Sequence, residues 1–140
     1  MIILDTNVLS ELMRASPSPR VASWVGGRPA RSLYVTSITQ AEVMHGILLL
    51  PKGRRRESLE AAAAAMFAVE LAGRVLAFAS DATIPYAQIA VARRRAGRPI
   101  AHFDAQIAAI ARVHGATVAT RNVGDFEGCE VDVINPWSES

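Results

Sequence analysis

The sequence predicts an α/β protein: a three-layer α/β/α sandwich around a central, mainly parallel sheet of four to five strands. Two observations predict it. Short apolar runs of strand length recur along the chain, Met1–Leu4 being the first, without the polar alternation of a half-exposed strand. Helical stretches separate these runs, and strand–helix–strand units of this length join parallel strands by crossovers that cover both faces of a sheet. With 140 residues the chain is expected to form one domain, 1–140, long enough to bury a core but short for two.

The elements follow in order. After the strand Met1–Leu4 comes a short helix near Asn7–Met13. The Ser16-Pro17-Ser18-Pro19 turn starts a second helix, since proline suits a first helical position, and Gly26-Gly27 stops it. Leu33–Thr36 is the second strand. A helix from Ser37 or Ile38 to Leu50 follows and ends at Pro51. A long alanine-rich helix fills Gly53 to Ala72, with Gly73 as its stop. Val75–Phe78 is the third strand, after which Asp81 caps a helix running to Ala96 and closed by Gly97 and Pro99. Ala101–Val113 is the last helix, stopped by His114-Gly115; Ala105, Ala108, Ala109 and Ala111 let it lie close to a sheet. Ala116–Ala119 is the fourth strand, and Val131–Val133 a weak fifth at the edge.

Composition narrows the function. With 51% hydrophobic and 20% charged residues the chain is an ordinary globular one, which excludes a disordered polymer. The net charge of +2 makes a weak overall field, so local clusters matter more. Arg54-Arg55-Arg56 and Arg93-Arg94-Arg95 are two tight basic runs, joined by Arg28, Arg31, Arg98 and Arg121. They are either phosphate-binding forks facing a polyanionic partner or solvated helix faces. Cys129 is the single cysteine, so no disulfide framework or cysteine-rich zinc site can form, which suits a reducing cytoplasm. No basic-then-apolar leader precedes the first strand, and the apolar stretch Ala61–Val69 is cut by Glu70 and Arg74. The expectation is a cytoplasmic protein without a membrane partner.

Four acids share one kind of location. Asp5 ends the first strand, where ligands bind in open α/β sheets. Glu42 lies one turn into the helix after the second strand. Asp104 opens the helix before the fourth strand, and Asp125 follows that strand in Thr120-Arg121-Asn122-Val123-Gly124-Asp125-Phe126. Each has a simpler reading. Asp5 also suits a helix cap, Asp104 suits a helix dipole, and aspartate is common in turns such as that of Asp125. Glu42 shares a face with Ile38, His45 and Leu49, and Asp104 with Ile107, Ala108 and Ala111. A charge on such an apolar face needs an arginine or a cation. Converging carboxylates repel unless a cation joins them, and an all-oxygen set selects Mg²⁺ or Mn²⁺ over zinc. Such ions activate water to attack a phosphodiester. With arginine-rich surfaces, that chemistry is a nuclease's.

The residues Ile3-Leu4-Asp5-Thr6-Asn7-Val8-Leu9-Ser10-Glu11, Ile38-Thr39-Gln40-Ala41-Glu42, Asp104-Ala105-Gln106-Ile107-Ala108-Ala109, Ala119 to Phe126 and Asn135-Pro136-Trp137 stand in a familiar order. The chain resembles a PIN-domain ribonuclease of the VapC type, the toxins of bacterial type II toxin–antitoxin pairs, in their FitB-like branch. The likeness spans essentially the whole chain. It implies that Asp5, Glu42 and Asp104 form the acidic triad, with Asp5 and Asp104 the direct metal ligands. Asp125 takes the fourth position, where some relatives rely instead on an acid at the place of Asn122. Thr6, Asn7, Thr120 and Asn122 support the site, and Arg121 contacts substrate. The resemblance also implies a metal-dependent endoribonuclease using Mg²⁺ or Mn²⁺, a homodimer, and inhibition by a small DNA-binding antitoxin whose tail enters a groove. The pair then assembles into a larger complex on operator DNA.

His45, His102 and His114 are not spaced as a ligand cluster; His102 could border the site, and His45 could bond to Glu42. Cys129 has no partner to activate it. Neither a Gly-x-Ser-x-Gly nor a Walker loop occurs. An aspartyl-phosphate phosphatase is disfavoured because position 7 is asparagine rather than a second acid. The alternative from another class is a non-catalytic RNA-binding or antitoxin-sequestering module on the same fold.

Overall fold

Three apolar residues, Ile2–Leu4, form the first strand (β1), and the polar Asp5 ends it. The computed structural model describes residues 1–138, so Glu139 and Ser140 of the expected domain lie outside the described residues. After β1 come helices α1 (Thr6–Leu12) and α2 (Pro19–Gly26), then strand β2 (Leu33–Thr36). Helices α3 (Ser37–Leu48) and α4 (Arg54–Ala65) lead to strand β3 (Val75–Leu76). Helices α5 (Thr83–Arg95) and α6 (His102–His114) lead to β4 (Thr117–Ala119), and β5 (Val133–Ile134) completes the sheet.

The sheet order is β3-β2-β1-β4-β5. Every neighbouring pair is parallel, with Ile3 beside Tyr34 on one side and Val118 on the other. Helices cover both faces, so the expected α/β/α sandwich is the fold, with a sheet that is wholly parallel. Strand alternation feeds two cores. Ile3 and Val118 join Ile89, Ile107, Ala108 and Phe126 on the side of α5 and α6. Their neighbours Leu4 and Ala119 join Val8, Trp24, Val43 and Phe67 on the side of α1 to α4.

Local chemistry sets the helix ends. Pro19 occupies the first turn of α2 after the Ser18 cap. The Thr36 hydroxyl accepts from the Thr39 amide at 3.2 Å and starts α3. Gly115, at φ 61°, takes the left-handed conformation that closes α6.

Three expectations are corrected. The alanine-rich helix is not continuous to Ala72: α4 stops at Ala65 and a π-helical turn over Met66–Glu70 follows, which buries Phe67 and then Leu71. Asp81 caps nothing; it lies in a 3₁₀ turn over Ser80–Ala82, and α5 begins without a side-chain cap. The stripe of α3 carrying Glu42 is not a core stripe, since Leu49 is 72% exposed; the core contacts run through Thr39, Val43 and Ile47. Among the described residues no helix is long and apolar enough to cross a membrane.

Candidate active site

From β1 the chain winds to β2 and β3 on one side, and later returns to β4 and β5 on the other. The crevice between the carboxyl ends of β1 and β4 is therefore the switch point of the sheet, where open α/β folds hold ligands. Asp5 follows β1 directly and Thr120 follows β4 directly, so pairing those strands puts the two residues side by side.

Asp5 is buried, at 5% exposure. Its Oδ1 accepts from the Thr6 amide at 2.8 Å; its Oδ2 accepts from the Thr120 hydroxyl at 2.7 Å and from Asn7 Nδ2 at 3.2 Å. It does cap α1, but only through the first amide. The Val8 and Leu9 amides go to its main-chain carbonyl, so the carboxylate keeps lone pairs for another partner. Burial pushes its carboxyl above the ordinary range, with Asp125 adding to the rise, against the lowering effect of Thr120, Thr6 and Asn7.

The next two residues tie the neighbouring strands in. Thr6 donates its hydroxyl hydrogen to Glu42 Oε1 at 2.8 Å. That hydrogen is then used, so in the 2.9 Å contact between the Thr6 and Thr39 hydroxyls the buried Thr39 is the donor. The Thr6 hydroxyl is thus a relay that fixes Glu42, which lies half-buried and forms no salt bridge among the described residues. Asn7 Nδ2 also donates to the Thr120 hydroxyl at 3.2 Å, and Asn7 Oδ1 accepts from the Arg121 amide at 3.1 Å. Asp5, Thr6 and Asn7 together bind the ends of β1, β2 and β4 into one cluster.

Asp104 lies in the first turn of α6, on the face of Ile107, Ala108 and Ala111, all buried as expected. Its carboxyl is pushed up to about 6, first by burial and then by the charges of Asp5, Asp125 and Glu42. All four acids therefore meet in one field. Asp125 is exposed, in a 3₁₀ turn over Val123–Phe126 anchored by buried Phe126. Asn122 is exposed, and its amide donates to the Thr120 hydroxyl at 3.1 Å. Arg121 is exposed, and its guanidinium lies over the Trp137 ring, 5.0 Å from the centroid.

The donor chemistry suits a hard divalent cation: the site offers carboxylate oxygens under mutual repulsion, backed by hydroxyls. In their present placement, among the described residues, no three His, Cys, Asp or Glu side chains form a group that could hold one ion. The fit is thus one of charge and donor type, with the carboxylates not closed on a common point.

Two residues of the neighbourhood were not singled out in the sequence. Thr39 stands three positions before Glu42 and supplies the hydroxyl behind Thr6; that spacing on one helix was its only signal. Arg93 is buried, whereas Arg94 and Arg95 are exposed, so its run is not uniformly a solvated face. His102 is exposed and its Nδ1 pairs with the Tyr86 hydroxyl at 2.7 Å, while His45 is exposed and Glu42 is taken by Thr6. Cys129 is buried in the core. From Glu42 a cleft of about 580 Å³ opens between α1, α3 and α4, with Met13, Arg14, Ile47, Arg55 and Leu59 on its walls.

A parallel sheet whose switch point gathers carboxylates and hydroxyls is the architecture of PIN domains. Residues 2–127 match the model of that family, the PIN domain, and the chain belongs to it. Among its relatives, VapC ribonuclease Y4jK of Sinorhizobium fredii is 41% identical over 98% of this chain and 98% of its own. Toxin FitB of Neisseria gonorrhoeae is 39% identical over 99% of this chain and 100% of its own. Among solved structures, a chain of FitAB bound to an IR36 DNA fragment superposes with a TM-score of 0.94 at 38% identity, covering 100% of this chain and 98% of that one.

Proposed function

We propose that this protein is the toxin of a type II toxin–antitoxin pair, acting in the cytoplasm as a single PIN unit and as a divalent-metal-dependent endoribonuclease. The observation that carries the reading is the gathering of acids at the switch point: Asp5 held by Thr120 and Asn7, Glu42 held by Thr6, and Asp104, whose carboxyl is pushed up to about 6 by burial first and then by the charges of Asp5, Asp125 and Glu42. Relatives named as a VapC ribonuclease and as a toxin support it.

Asp5 and Asp104 would hold Mg²⁺ or Mn²⁺, with Glu42 and Asp125 completing the acidic set. When bound, such an ion supplies positive charge to the phosphoryl oxygens and acidifies water. The protein's own contribution is orientation. Thr120 and Asn7 hold the Asp5 carboxylate in one rotamer, and Thr6 does the same for Glu42, leaving its other oxygen free to accept a proton from the attacking water. Arg121, at the rim, meets the RNA phosphates by leaving its stack on Trp137.

The partner is a small DNA-binding antitoxin. Its tail enters the cleft beside Glu42, where apolar walls and Arg14 and Arg55 give it both packing and charge. A toxin homodimer assembles with it on operator DNA; the solved structure of FitAB bound to a DNA fragment supports the placement on DNA.

Purified, antitoxin-free protein incubated with structured RNAs tests the reading. Cuts should appear with Mg²⁺ or Mn²⁺, stop with EDTA, and be abolished by Asp5→Asn or Asp104→Asn. Cleavage surviving both substitutions would sink the assignment, and RNA binding without cleavage would favour the non-catalytic module.

A further inference from the structure

Arg93 is 7% exposed, in the middle of a chain surface where its two neighbours reach solvent. Its guanidinium spends its donors on backbone carbonyls. Nε donates to Arg98 O at 2.8 Å, and Nη1 donates to Asp125 O at 2.7 Å and to Glu127 O at 3.1 Å. Nη1 also lies 3.8 Å from Sγ of Cys129. None of these acceptors is a carboxylate, and Arg93 forms no salt bridge among the described residues. A buried guanidinium without a paired carboxylate is costly, and these three carbonyl acceptors offset that cost.

The turn that Arg93 grips is the one carrying Asp125. The chain wraps its stem closely: a Cβ on Gly128, which sits at φ +77°, would stand 3.7 Å from Cδ of Arg93. A planar fork can hold several carbonyls in one geometry, which a lysine ammonium cannot. Arg98 adds an outer, exposed layer, with Nη1 on Glu127 Oε2 at 2.8 Å and Nη2 on Gly124 O at 3.4 Å.

We propose that Arg93 is a positioning residue of the acidic site: it clamps the backbone of the Asp125–Glu127 segment, and so sets Asp125 against Asp104. This rests on the metal-dependent nuclease reading. Arg93 touches no substrate and acts through Asp125 and Asp104.

The test compares full-length Arg93→Gln, Arg93→Lys and Arg98→Gln with the wild type. RNA cleavage is measured with Mg²⁺, Mn²⁺ affinity by electron paramagnetic resonance without RNA, and backbone amides by two-dimensional NMR. Arg93→Gln should lose about tenfold or more in kcat with KM little changed, and weaken Mn²⁺ binding by a similar factor. Its amide shifts should concentrate at Asn122–Cys129 and Asp104. Arg93→Lys should recover neither Mn²⁺ affinity nor kcat, because the charge remains but the fork is gone; if Arg93→Gln does not fold, this result decides alone. Arg98→Gln should keep kcat. Wild-type kcat and Mn²⁺ affinity in Arg93→Gln, or full recovery of kcat in Arg93→Lys, would overturn the proposal. A wild type that binds Mn²⁺ but cuts no RNA would instead overturn the nuclease reading, with the Mn²⁺ and amide data still judging the clamp.

Discussion

Thr120 donates its hydroxyl hydrogen to Oδ2 of Asp5 at 2.7 Å, across 115 residues of sequence. The Thr120 hydroxyl oxygen itself accepts from Asn7 Nδ2 at 3.2 Å and from the Asn122 amide at 3.1 Å. Its single hydrogen and both lone pairs are used, and the residue is wholly buried. One hydroxyl therefore fixes an acid after β1, the amide beside it, and the turn after β4.

Replacing that hydroxyl at constant volume isolates it. Thr120→Val should destabilise the fold by about 1–3 kcal/mol in urea denaturation, because the buried Asp5 carboxylate loses a donor and the Asn7 and Asn122 donors lose their acceptor. Thr120→Ser should recover most of the loss. Unchanged stability in Thr120→Val would show that the cluster contributes nothing to folding.

Thr6→Val breaks a different link. Glu42 loses its donor and the buried Thr39 hydroxyl loses its acceptor. RNA cleavage should fall about 10- to 100-fold through kcat, as when a supporting hydrogen bond to a site ligand is removed. The double variant Thr6→Val/Glu42→Gln should be no slower than Glu42→Gln alone, since Thr6 acts through Glu42; a multiplied loss would contradict this.

Asp104 makes stability depend on pH. Its folded value of about 6 lies above the ordinary 3.8, so between these values the folded chain holds more protons than the unfolded one. Without metal, its contribution to stability is therefore lost as pH rises from about 4 to 6. The shift alone would convert to about 3 kcal/mol, but solvent screening at this half-exposed group reduces it to about 1–2 kcal/mol. Asp104→Asn should raise apo stability by that amount at pH 7.5 and not at pH 4. Mg²⁺ should stabilise the wild type at pH 7.5 and leave Asp104→Asn nearly unmoved in the same thermal scans.

The last corner of the site separates Asp125 from Asn122. Asp125 enters the field of both Asp5 and Asp104, whereas Asn122 meets the cluster through its main-chain amide. Asp125→Asn should reduce cleavage by about tenfold or more, and Asn122→Ala by less than about threefold. The reverse ranking of the two rates would assign the position to Asn122.

Much of the fold was legible because its signals are local. Apolar runs marked the five strands in order, Ser18 and Pro19 marked the start of α2, and Gly115 the end of α6. The π-helical turn after Ala65 was not legible, since no glycine or proline interrupts Met66–Glu70, and the wider turn accompanies the burial of Phe67 and Leu71, which no local pattern marks. Nor was the support of Glu42. Its helical stripe pointed to Ile38 and Leu49 and to an arginine or a cation as the compensating partner, yet Leu49 faces solvent and the side chain that holds Glu42 is the hydroxyl of Thr6, 36 residues away.

By itself the sequence determined that four acids would stand at element ends around a parallel sheet, because periodicity, caps and turns act over a few residues. The tertiary structure alone decided how those acids are held and which arginine stands behind them. Thr120 reaches Asp5, Thr6 reaches Glu42, and Arg93 turns from its two neighbours to grip the Asp125 turn. Those choices depend on strand order and on burial at the switch point, and neither is written in any local stretch of the chain.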